Sequence, residues 1–109
     1  MTADALEDAV RRVVADLLPD ATVVWGDGVD VFADGELVCT AWSDAGTDPR
    51  EAVAHVAHVV QDAAIERAGE PVPECPGHPH PAVVRVTDDG VAWTCPATGA
   101  LVAARPVAH

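Results

Sequence analysis

Residues 74–81 read ECPGHPHP, a cysteine and two histidines within six positions, set among prolines. Further along, residues 94–99 read TCPATG and place a second Cys-Pro pair. Thiolate sulfur and imidazole nitrogen are the donors that hold a borderline-soft divalent cation. Cys75, His78, His80 and Cys95 are therefore the candidate metal ligands. The proline after each cysteine fixes φ and favours a bend, and Gly99 suits the second bend. Thr98, three residues after Cys95, stands where a further ligand belongs. It is a poor one, because its hydroxyl would have to lose a proton. Four outcomes stay open. His80 closes a four-ligand site; three protein ligands leave one position to water; the turns have lost their metal; or Cys75 and Cys95 form a disulfide, which a reducing compartment disfavours.

Two Cys-Pro knuckles at either end of a hairpin resemble a zinc ribbon, over about a third of the chain. The resemblance implies zinc as the cofactor, with each knuckle turning backbone N–H groups toward a thiolate. The longer pattern C-P-x-H-x-H-P…W-x-C-P-x-x-G is similar to the ending of short, uncharacterised proteins of high-GC bacteria. That similarity implies a shared module and no particular activity. Glu74 is the only acid in the first knuckle, and no neighbour stands out as a general base, so no catalytic residue is assigned. The expected function is a small zinc-binding accessory or interaction protein with a structural metal site. One alternative is a metalloenzyme using Cys75, His78 and Cys95, with His80 or Glu74 moving protons on a zinc-bound water. Another is a metal-free acidic module that binds a protein.

Other candidates compete with plainer readings. Glu51, His55, His58, Asp62 and Glu66 share one face of a helical stretch, and two imidazoles with a carboxylate suit a metal or a proton relay. Val53, Val56, Val60 and Ala63 take the other side, which makes the first set the solvated face of an amphipathic helix. A helix histidine reaching the ribbon is a remaining route to a fourth ligand. Cys39 alternates with Leu37 and Ala41 along a strand and reads as a small buried hydrophobe. Trp93, two residues before Cys95, is expected to bury the ribbon hairpin against the rest of the chain. The lone GDG at 26–28 is too short for a phosphate loop, with neither a strand–GxGxxG–helix nor a GxxxxGK(S/T) pattern, and Ser43 is the only serine available as a nucleophile.

These residues need elements to hold them. Residues 3–18 space Leu6, Val10, Val13, Val14 and Leu17 at helical intervals, and Pro19 stops the helix. Strands are predicted over 21–25, 29–33 and 36–42, with a tight turn at Asp34-Gly35 and a loop over 43–48. Asp48 as cap, Pro49 at the first position and Glu51 three residues past the cap open a helix that Gly69 ends. A proline-rich linker then leads to strands over 82–87, 91–95 and 100–104. The fold class is α+β: an α-β-β-β-α body over residues 1–70, an antiparallel meander with both helices on one face. A zinc-ribbon-like β-hairpin unit over 71–109 packs on it. The body's order is similar to that of double-stranded-RNA-binding domains, whose function needs basic residues at the helix ends. Trp25, Trp42, Trp93 and Phe32, the only large rings, are expected to anchor the core or an interface.

Charge bounds the partners. The 109 residues carry 18 acids and six arginines with no lysine, a net charge of −12. Residues 1–70 hold 15 of the acids and four of the arginines. Such a surface repels phosphate backbones and anionic lipid, so the partner is expected to be another protein, one with a basic surface, rather than nucleic acid or a membrane. The acidic start, MTADALEDAVRR, lacks the pattern of a secretory leader, and the expected location is the cytoplasm.

Overall fold

In a computed structural model of the chain, residues 3–26, 28–41, 48–75, 77 and 80–107 are described. Asp27 of the GDG turn, Trp42, Ser43, the loop residues 44–47, Pro76 and His78 lie outside them. The order is α1 (Ala3–Leu17), β1 (Thr22–Trp25), β2 (Val29–Ala33), β3 (Glu36–Ala41), α2 (Pro49–Ala68), β4 (Val83–Val86), β5 (Gly90–Thr94) and β6 (Leu101–Pro106). Two antiparallel sheets result, β1-β2-β3 and β4-β5-β6. The fold is α+β, as the periodicities predict. The strand predicted over 100–104 is present as β6, which runs on to Pro106 and pairs with β5, so the hairpin is the first two strands of a three-stranded sheet.

Local chemistry explains the boundaries. Asp48 caps α2 by accepting the Arg50 N–H at 2.8 Å, with Pro49 inside the first turn. Gly69 closes the helix in the left-handed region at φ 69°, where its N–H reaches the Ile65 carbonyl. Asp34 and Gly35 both take positive φ, the geometry of the tight turns that match strand twist.

One face of the first sheet is buried through Val23, Val29, Val31 and Ala41, while Val24 on the same strand as Val23 is about half exposed. The expected alternation fails at Leu37. A bulge between Val31 and Phe32 pairs Val31 with Cys39 but Phe32 with Leu37. The extra residue flips the face, leaving Leu37 56% exposed while Cys39 stays half-buried.

The helices pack on each other, and both touch both sheets: α1 meets β1 and β6, and α2 meets β3, β4 and β5. A single core cluster contains Val10, Val13 and Val14 of α1, Val53, Val56 and Val60 of α2, and Cys75, Trp93, Cys95 and Val107. The metal-ligand candidates thus share their burial with the helices.

Polar ties join the same parts. Arg105 of β6 grips Asp16 of α1 through two bonds of 2.6 and 2.8 Å. Arg50 at the start of α2 holds Asp48 and donates to the Thr87 and Asp88 carbonyls in the β4–β5 turn. Arg11 of α1 donates to the Val23 carbonyl of β1.

Candidate metal centre

Each cysteine begins a loop closed by the same backbone bond. The Cys75 N–H donates to the His80 carbonyl at 3.2 Å, and the Cys95 N–H donates to the Ala100 carbonyl at 2.8 Å. Both bonds run from residue i to residue i+5, so the two loops superpose in sequence. His80 corresponds to Ala100, and position 98 to position 78. The first loop is sealed at its base by the Glu74–Pro81 bridge and by the Ala82 N–H on the Pro73 carbonyl at 2.8 Å. The second is tightened by the Gly99 N–H on the Cys95 carbonyl at 2.7 Å, with Gly99 at φ 77°, a conformation glycine adopts without cost.

The loops face each other. One donor atom each from Cys75, His80 and Cys95 lies within 4.8 Å of the others. Ligands about 2.3 Å from a tetrahedral ion sit about 3.7 Å apart, so a modest contraction brings all three donors onto one cation. Cys75 is 1% exposed and Cys95 3% exposed, and His80 is half-buried. The donor set, two sulfurs and one nitrogen, fits zinc or another thiophilic divalent ion. His78 lies outside the described residues; among those described, the structure brings together Cys75, His80 and Cys95.

The remaining candidates fall elsewhere. His58 Nε2 lies 3.8 Å from Asp62 Oδ2, with both side chains well exposed on α2. His55 is also exposed, and neither helix histidine joins the Cys75–His80–Cys95 group among the described residues. This is the solvated face that the amphipathic pattern predicts. Trp93 is 1% exposed inside the common core, between Val84 and Ala103 of the flanking strands.

Thr98 has a use that ligand spacing does not reveal. Its Oγ1 accepts the Ala100 N–H at 3.2 Å, and its hydroxyl donates to the Cys95 sulfur. That hydrogen bond is the chief reason the Cys95 thiol is pulled down to about 6; burial opposes it, while the Thr98 and Ala97 N–H groups and the Cys75 thiol assist. Cys75 moves the other way, raised first by burial and then by its hydrogen bond to Cys95 and that thiolate's charge. The pair therefore holds one thiolate and one thiol near neutral pH. Cys39 is raised by burial alone and reads as a packing residue.

No protein-family model matches the chain, and no curated protein or solved structure matches it. The site's chemistry therefore rests on its own geometry. No helix among the described residues is long and apolar enough to cross a membrane.

A titration follows from the cysteine pair. In metal-free protein, thiolate absorbance should rise in a first step near pH 6, well below the ordinary thiol range, and Thr98→Val should move that step upward. The linkage has a definite sign. The depressed Cys95 stabilises the fold above the unfolded thiol range, and that contribution is lost as pH falls through about 6. The raised Cys75 contributes below the unfolded thiol range and loses its contribution as pH rises through its own value. A Thr98→Val protein with an unmoved first step would contradict the assignment.

Proposed function

We propose that the chain is a small zinc-binding accessory protein in which Cys75, His80 and Cys95 hold a structural ion, with His78 or water as fourth ligand. The observation that carries this reading is the meeting of three donors within 4.8 Å, two of them sulfurs no more than 3% exposed. A thiolate in so dry a place is costly unless a cation or strong donors face it. A cation bridging the two loops ties residues 75–80 to residue 95 and so pins the linker to β5. Structural zinc sites act in this way, supplying folding free energy by crosslinking short loops. The acidic surface, net −12, suits a basic protein partner. The zinc-ribbon resemblance of the two Cys-Pro loops points the same way.

The test is elemental analysis of protein purified without chelator. About one zinc per chain is expected, released by a strong chelator and restored on adding zinc. Protein without stoichiometric metal that also refuses added zinc would remove the proposal.

A further inference from the structure

Gln61 is the one buried polar or charged side chain among the described residues, at 5% exposure. It lies on the inner side of α2 with Val53, Val56, Ala57, Val60 and Ala64, where an apolar residue would be ordinary. Its amide nitrogen carries two protons and spends both. Nε2 donates to the Val72 carbonyl at 3.0 Å and to the Ala82 carbonyl at 2.6 Å. Those two carbonyls stand on opposite arms of the first loop, just outside the bond between the Ala82 N–H and the Pro73 carbonyl. Everything the loop contributes to the metal centre, Cys75 and His80, lies between them.

We propose that Gln61 is a positioning residue of the metal centre, fastening both arms of the first loop to α2 so that its donors meet Cys95; the inference rests on the metal-binding reading above. The other half of the site rides on β5, which also packs against α2. The helix is therefore the common frame for two loops that come from distant parts of the chain. Apolar contacts alone set the distance between helix and loop but leave the loop free to slide. Two directed bonds from one nitrogen remove that freedom. Metal affinity is sensitive to such support, because ligands held about 0.5 Å out of place bind poorly.

The alternative is that Gln61 merely satisfies two buried carbonyls and stabilises the fold without regard to the ion. Leucine at position 61 keeps the volume and removes both donors. Asparagine keeps the donors on an arm shorter by one carbon. Val60→Ala, also on the buried side of α2, lowers stability while leaving both Gln61 bonds in place and serves as the control.

Zinc affinity is measured on the full chain by competition with a chromophoric chelator, well below the unfolding temperature, and cobalt absorption reports ligand geometry. Gln61→Leu should bind zinc about 10–100-fold more weakly, with an altered cobalt spectrum. Gln61→Asn should show a smaller loss, and it carries the test if the leucine variant does not fold. Val60→Ala should keep both affinity and spectrum while melting earlier. Wild-type affinity and spectrum in the Gln61 variants that fold overturn the positioning role and leave the metal centre standing. Wild-type protein that takes up neither zinc nor cobalt overturns the metal centre, and this role with it.

Discussion

Cys75→Ser is expected to weaken zinc binding by two to three powers of ten and to abolish the response of thermal stability to zinc. Structural zinc sites carry an apparent binding free energy of roughly 10–16 kcal/mol, so one ligand among three or four accounts for about 3–4 kcal/mol. Serine cannot replace that share, because its hydroxyl keeps its proton at neutral pH while a thiol facing a cation surrenders one. In the wild type, free zinc at a hundredfold excess over its dissociation constant should add about 2.7 kcal/mol. For a domain of this size that raises the melting temperature by roughly 10–20 °C over chelated protein. The serine variant should melt at one temperature whether zinc or chelator is present. A wild-type midpoint equally indifferent to both would argue for a metal-free pair of thiols.

Trp93→Ala should be the most damaging single change in the core, costing about 3–5 kcal/mol in metal-free protein. A domain of this kind holds only about 5–15 kcal/mol in total, so the variant stands near the edge of folding. The indole is 1% exposed, and Trp93 on β5 pairs with Val84 of β4 and Ala103 of β6. Its Nε1 is buried with no hydrogen-bond partner among the described residues. An unmet buried donor costs about 1–3 kcal/mol, so Trp93→Phe removes a liability along with some packing. The two effects oppose, and phenylalanine should fall within about 1 kcal/mol of wild type, in contrast to alanine. Urea midpoints read both. Equal losses for the two variants would show that the indole nitrogen is satisfied after all, and a small loss for alanine would place Trp93 outside the energetic core.

The elements were legible where the chain carries its own stop and start chemistry. Asp48, Pro49 and Gly69 bracket α2 at the predicted residues because each acts on backbone within one turn. The Asp34-Gly35 turn is local in the same way. The bulge that exposes Leu37 was not legible, because pairing register depends on the partner strand and an extra residue leaves no mark in the alternation. Cys75, His80 and Cys95 could be read from residue type and spacing, since few other uses place those donors in Cys-Pro loops. Thr98 was read as a missing ligand, and its bond to Cys95 emerges only from the turn's three-dimensional closure. Gln61 left one faint signal, a polar residue on an apolar stripe, and nothing in sequence names the carbonyls it serves.

The ion pair between Arg105 and Asp16 has a consequence for biosynthesis. Its two residues are 89 apart in sequence. At ribosomal rates of roughly 5–20 residues per second, Asp16 waits roughly 5–20 s for its partner to be made. Through that interval the stripe of Val10, Val13, Val14 and Leu17 lacks the last strand that covers part of it in the finished protein. A nascent chain stalled before β6 therefore displays a sticky helix, the kind of surface that chaperones catch and that neighbouring nascent chains aggregate upon.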